Sequence, residues 1–218
     1  MSNRLIAIGD IHGCSTALKA ILTAINPRPD DTIVTLGDYI DRGPDARGVV
    51  DLLIDLSKQT HLVPILGNHE EMMLQVLRGE QAYQNWLKFG GVETLESYGF
   101  DGDLNFLPPE HLEFFESLVD YYVEDNFFFT HASYDPYLPF EQQGSDVLRW
   151  HSLRDGIPTQ HFSGATAIVG HTASQNGEVL DVEHLLCIDT FCYGGGFLTA
   201  LDVRKLAVWQ VCKDGYLR

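Results

Sequence analysis

An α/β fold is predicted by three features of this chain. Strand-like apolar runs alternate with helix-like periodicity three times through Leu77, strand-like segments dominate after residue 120, and five of the apolar runs end in loops rich in Gly, Asp, Asn or His. Alternation of that kind implies parallel strand pairing with helices packed on the sheet. With 218 residues, 44% of them hydrophobic, and no Pro/Gly/Ser-rich divider, repeat or low-complexity segment, residues 1–218 are expected to form one domain.

Arg4–Gly9 is a short apolar run ending in Gly-Asp, the pattern of a buried strand that stops at a loop. Ala17, Leu18, Ile21, Leu22 and Ile25 follow at helical spacing, and Asn26-Pro27 stops that helix. Thr32–Leu36 repeats the strand pattern, and Val49, Val50, Leu53, Ile54 and Leu56 fall mostly on one helical face of residues 46–58. His61–Leu66 is a third strand, and Glu71–Leu77 reads as helix.

Residues 79–118 break the alternation. Three helices are expected there, separated by Gly90-Gly91 and by the stretch from Gly99 to Pro109, which together form a helical insert. Later strands are expected at Tyr121–Glu124, Phe127–Thr130, Ala167–Val169, Leu185–Ile188, Phe197–Asp202 and Lys205–Val211. The last two read as a hairpin turning at Val203-Arg204, and the group as a whole as a second sheet packed on the first.

Charge excludes several partners. Fourteen Lys and Arg face 31 Asp and Glu, a net charge of −17. Such a surface offers nucleic acids and anionic membranes no dense basic patch from which to release counterions. It also repels phosphorylated substrates, so a phosphate site needs local positive charge, which bound metal ions can supply. Cys14, Cys187, Cys192 and Cys212 form no CxxC pair, and the apolar run near Met1 is shorter than a signal peptide. A cytoplasmic location is therefore expected.

The chemistry lies at the strand ends: GDIHG at 9–13, GDYIDRG at 37–43, GNHE at 67–70, TH at 130–131 and GH at 170–171. In open α/β sheets the carboxyl ends of strands line the ligand crevice. Five segments would converge there with Asp10, His12, Asp38, Asn68, His131 and His171. Carboxylate, imidazole and amide donors suit Mn²⁺, Fe²⁺ or Zn²⁺. Six ligands exceed what one catalytic ion takes while keeping an open position, so two divalent ions are expected. Asp10 and His12 would point to one, Asn68, His131 and His171 to the other, and Asp38 would bridge.

Those motifs, in that order and spacing from residue 4 to about 203, resemble the calcineurin-like metallophosphoesterases, and within them the small bacterial and phage members of the serine/threonine phosphoprotein phosphatase (PPP) family. The resemblance implies a four-layer α/β/β/α sandwich with two mixed sheets and a bimetal centre, often manganese. It implies the same partition of the six ligands.

Two ions about 3–4 Å apart can hold a bridging hydroxide that attacks phosphorus directly, and the chain carries no CX5R or GxSxG nucleophile motif. A serine alkoxide is a poor leaving group. His69, beside Asn68, is the expected acid, and Asp41 its orienting partner, roles that the resemblance also assigns. Arg42 offers a bidentate grip on phosphate. The resemblance implies a second phosphate-binding arginine, commonly two residues after a tryptophan. Ser152 stands there, and of Arg149 and Arg154, which flank Trp150, Arg149 is preferred. Tyr193, before Gly194–Gly196, is placed by the resemblance near the mouth of the site. His61, His111, His151, His161 and His184 lack a strand-end context and read as surface or structural residues, and Cys14 as a small buried residue.

The expected activity is hydrolysis of phosphoserine and phosphothreonine in proteins, with small phosphoesters as further substrates. A dinucleoside polyphosphate hydrolase is the first rival. Relatives of that kind commonly read GNHD and lack the aspartate before RG, whereas this chain has Glu70 and Asp41. The second rival, an inactive metal-dependent binding protein, predicts gaps in the ligand set, and none is present.

Overall fold

The computed structural model describes residues 3–218. The first sheet is built on β1 (Leu5–Ile8), with β2 (Thr32–Thr35) and β3 (His61–Pro64) added in parallel. On the other side of β1 the strand β10 (Phe197–Asp202) runs antiparallel, followed by β11 (Ala207–Cys212), and the short β9 (Asp189–Thr190) also pairs with β10. The second sheet has the order β4 (Tyr121–Glu124), β5 (Phe127–Thr130), β6 (Thr166–Val169), β8 (Leu185–Cys187), β7 (Leu180–Asp181), with a parallel centre and antiparallel edges. Both sheets are mixed.

Alternate residues of β1 serve different layers. Ile6 and Ile8 pack with Leu18 and Ile21 of α1 (Ser15–Ile25) and with Val49, Val50 and Leu53 of α2 (Ala46–Ser57). Leu5 and Ala7 face the second sheet and join Val34, Leu36, Phe129, Ile168 and Leu186 between the two. Burial on both faces explains why these strands are continuous apolar runs without alternation. The far side of the second sheet is covered by Tyr134, Leu148 and Leu153, so the fourth layer is thin: one short helix, α7 (Ser145–Trp150), and the loops around it.

Local chemistry sets the helix ends. Asn26 adopts a left-handed conformation and its N–H returns to the Leu22 carbonyl, which closes α1 before Pro27. Asp45 caps α2 by accepting the Gly48 N–H at 3.0 Å. The third helix, α3, spans Asn68–Leu77, three residues earlier than its apolar periodicity predicts, because the Glu70 carboxylate folds back onto the Gly67 N–H.

The insert breaks at Gly90-Gly91 as expected: Gly90, at φ 102°, leaves the helical conformation and kinks the chain between α4 (Tyr83–Trp86) and α5 (Val92–Tyr98). The sixth helix, α6 (Pro109–Glu116), completes the insert, and Trp86, Leu95, Tyr98, Phe114 and Phe115 belong to the same apolar cluster as α1 and α2. Two expectations are corrected. The last two strands do not join the second sheet: β10 and β11 extend the first, because β10 pairs antiparallel with β1. The late hairpin does not turn at a dipeptide. Asp202 pairs with Ala207, and the Asp202 carboxylate accepts the N–H groups of Arg204 and Lys205 across a four-residue loop. No helix among the described residues is long and apolar enough to cross a membrane.

Candidate metal and phosphate site

Strand ends deliver the six expected ligands to one volume, and the backbone there is unusual. Of the ten non-glycine residues with positive φ among the described residues, five are site residues: His12, Asp38, Asp41, Arg42 and His171. Such conformations cost about 1–3 kcal/mol each and persist where the surroundings over-determine them. Glu70 is one such determinant. Fully buried, it accepts the N–H groups of Tyr39 and Ile40 on one oxygen and those of Asp38 and Gly67 on the other, tying the GDYIDRG loop to GNHE. At Gly67 any side chain is excluded, since a Cβ would lie 2.4 Å from Asp38 Oδ1.

Asp38 stands at the centre. Its Oδ2 is 3.3 Å from His12 Nε2, and its Oδ1 is 3.4 Å from His131 Nε2. On the second side, Asn68 Oδ1 lies 2.9 Å from His131 Nε2 and 3.1 Å from His171 Nδ1. Ligand atoms about 2.1 Å from one cation are roughly 3.0–3.4 Å from each other in octahedral or tetrahedral geometry, so these separations fit metal coordination. Two donor groups, His12–Asp38–His69 and Asp38–His131–His171, share Asp38. Asp10 is turned onto the His171 N–H, at 3.0 Å, and is not within the first group.

The opposite nitrogen of two of these imidazoles is tied down. His12 Nδ1 donates to the Ile40 carbonyl at 2.9 Å and His131 Nδ1 to that of Leu36 at 2.7 Å, which leaves each Nε2 unprotonated. His171 turns Nδ1 toward Asn68 Oδ1. Burial lowers the pKa of His12 and His131, and burial with the neighbouring His131 brings His171 to about 4, so all three imidazoles are neutral at pH 7 and able to accept a cation. Asp10 is pushed upward by burial and by Asp189 and Asp38. Burial also opposes ionisation of Asp38, but charge on the four surrounding histidines, when they are protonated in acid, prevails and holds it below the usual carboxylate range. Buried carboxylates gathered without a matching number of side-chain cations are a site for divalent ions.

His69 and Asp41 form a separate pair. The imidazole Nδ1 donates to Asp41 Oδ2 at 2.6 Å, while Nε2 has no partner among the described residues and faces Asp38 Oδ2 at 3.8 Å. Burial lowers the His69 pKa, but Asp38 and Asp41 outweigh it and leave the group raised. Arg42 reaches over the same centre, with Nη1 2.9 Å from His12 Nε2 and 3.1 Å from the Tyr193 hydroxyl. A cleft of about 390 Å³ opens beside them, walled by Gly13, Cys14, Pro44 and Lys213 among others.

The two candidate arginines differ in their surroundings. Arg149 is bound to Glu71 and Asp120, one on each terminal nitrogen, and is committed to holding α3 against the start of β4. Arg154 is exposed and donates to the Ala173 carbonyl at 2.7 Å; burial raises the nearby Asp189 to about 6, with Arg42 and Arg154 acting in the opposite direction. Asp189 itself was not singled out from sequence. It follows β8 as Asp10 follows β1, but without the glycine that marks the other strand ends. Of the remaining histidines, His111 is buried between Tyr98 and Asp51, His161 bonds Ser163 and Leu138, and His61 and His151 are exposed. Cys14 is buried at the start of α1.

Two paired sheets whose strand ends gather histidines, carboxylates and an amide around a shared aspartate, with an arginine above, form a candidate site for divalent ions and phosphate. The calcineurin-like phosphoesterase profile matches residues 3–204, and the chain belongs to that family. It is 39% identical over 85 residues, 38% of its length, to serine/threonine-protein phosphatase 1 of Salmonella typhimurium, and 38% identical over 73 residues, 33% of its length, to the symmetrical bis(5'-nucleosyl)-tetraphosphatase of Pectobacterium atrosepticum. These matches span only 37% and 25% of the two relatives. Its fold is similar to that of a solved structure provisionally named as a diadenosine tetraphosphatase, with a TM-score of 0.73 and 23% identity over 97% of this chain and 94% of that one.

Proposed function

We propose that the protein hydrolyses phosphoserine and phosphothreonine monoesters in proteins, with Asp10, His12, Asp38, Asn68, His131 and His171 holding two divalent ions, manganese foremost and iron or zinc as alternatives. When bound, the ions supply an activated water as nucleophile and neutralise charge on the phosphoryl oxygens. The chain's own residues do the rest. Arg42 grips and orients the phosphoryl group, with Tyr193 bracing the guanidinium from below at 4.8 Å. Arg154, not Arg149, is the second phosphate-binding arginine in this reading.

The observation that carries the choice of substrate is the His69–Asp41 pair. A serine or threonine alkoxide leaves only if it is protonated, and His69 Nε2 is a buried, unpartnered nitrogen aimed into the site. A nucleotide leaving group departs as a stabilised anion and has far less need of an acid. The Salmonella relative supports the same reading. The tetraphosphatase relative and the similarly folded structure support the second one, cleavage of dinucleoside polyphosphates in the same centre. Side-by-side assay of a phosphoserine peptide and diadenosine tetraphosphate, with and without manganese, decides between them: turnover of the peptide is expected, and turnover of the dinucleotide alone would overturn it.

A further inference from the structure

The Asp41 carboxylate is held from the helical insert. Its Oδ1 accepts the Thr94 hydroxyl at 2.6 Å, and the Trp86 indole Nε1 donates to both oxygens, at 3.1 and 2.9 Å. The Thr94 oxygen in turn accepts the backbone N–H of Asp41 at 2.8 Å, which fixes a residue at φ 68°. Asp41, Trp86 and Thr94 are all 0% exposed. Between these two donors the chain closes on the next residue as well: the Gly90 carbonyl accepts the Arg42 N–H at 3.2 Å. A Cβ on Gly90 would sit 2.7 Å from Arg42 N, and one on Gly91 would sit 2.7 Å from the Trp86 ring. The kink at Gly90-Gly91 is therefore what lets the insert reach Asp41 and Arg42 together.

We infer that Trp86 and Thr94 are positioning residues for proton delivery. They lock the Asp41 carboxylate so that it fixes the tautomer and the plane of His69, with Nε2 directed at the departing oxygen. This rests on the proposed acid role of His69. In the step concerned, the oxygen of water bonds to phosphorus and the P–O ester bond breaks. The Nε2–H proton of protonated His69 passes to the leaving oxygen, giving the free alcohol and a neutral imidazole, while the water's own two protons leave with the phosphate as dihydrogen phosphate. An aspartate free to rotate would let the imidazole drift, and a displacement of about 1 Å can cost roughly 100-fold. The insert is thus part of the catalytic apparatus, whatever its part in choosing substrates.

The test compares two monoesters on manganese-loaded enzyme. A phosphoserine peptide needs a protonated leaving group, whereas p-nitrophenyl phosphate releases a stable anion. Trp86→Phe and the isosteric Thr94→Val are expected to lower kcat on the peptide by roughly 10–100-fold, with a loss on p-nitrophenyl phosphate about tenfold smaller, unchanged KM and unchanged metal content. Thr94→Ser, which keeps the hydroxyl, should recover most of the loss. Equal losses on the two esters, no loss on either, or a Thr94→Ser enzyme as damaged as Thr94→Val overturns the inference. A wild-type enzyme inert toward both esters would instead sink the monoesterase reading itself.

Discussion

Glu70 Oε2 accepts the backbone N–H of Asp38 at 2.9 Å, so the residue that separates GNHE from GNHD also seats the carboxylate shared by the two donor groups. Its four accepted N–H groups make it the joint between two of the five strand-end loops.

Glu70→Gln should therefore weaken metal binding without touching a ligand. The amide would turn N–H against N–H at one of its two ends. Loss of such an outer support costs about 10–100-fold in metal affinity. Isothermal titration of the stripped protein with manganese measures it, and an unaltered affinity would show that Asp38 is seated by something else.

His69→Gln is expected to keep its metal and lose about 10²–10⁴-fold in kcat on a phosphoserine peptide. Gln fills similar space but cannot hand over a proton. Retention of more than a tenth of the activity would mean that His69 serves only to orient Asn68.

The two arginines separate by readout. Arg154→Ala should raise KM for phosphoester several-fold and leave stability alone, as its side chain is exposed. Arg149→Ala should do the reverse: it strips Glu71 and Asp120 of their partner, a loss of about 1–3 kcal/mol in urea denaturation. A KM effect confined to Arg149→Ala would restore the sequence-based preference.

Stability should fall toward acid through Asp31, which accepts Arg4 Nε at 3.0 Å and the Arg28 N–H at 2.7 Å. Burial opposes its ionisation, but these partners outweigh burial and depress its pKa. A depressed folded-state pKa means stability that is complete above the unfolded value near 4 and is lost as pH falls through the folded one. Asp31→Asn should cost about 2 kcal/mol at pH 7, or roughly 4–8 °C in Tm, and the gap should narrow below pH 4. A gap that stays constant into acid would rule the ion pair out as its source.

The parts of the molecule legible in the sequence are those governed by local pattern. Doubly buried strands write themselves as runs such as Leu5–Ile8, and Gly-Asp or Gly-His after such a run marks a strand end. What stayed hidden depends on partners far away in the chain. Trp86 and Thr94 meet Asp41 across 45 and 53 residues, and nothing at either end of those contacts announces the other. Arg149 looked available because Glu71, 78 residues distant, carries no local sign of its pairing. The hairpin was misplaced for a nearer reason: the Asp202 side chain, rather than an Asn-Gly pair, makes the turn.

The proposed centre holds two cations that share the Asp38 carboxylate. Elemental analysis of manganese-loaded protein, wild type beside Asp38→Asn, tests it most directly. Two ions per wild-type chain, falling to one or none in the variant together with loss of phosphoesterase activity, is the predicted result. One ion per wild-type chain, or two retained by an active Asp38→Asn protein, would contradict it.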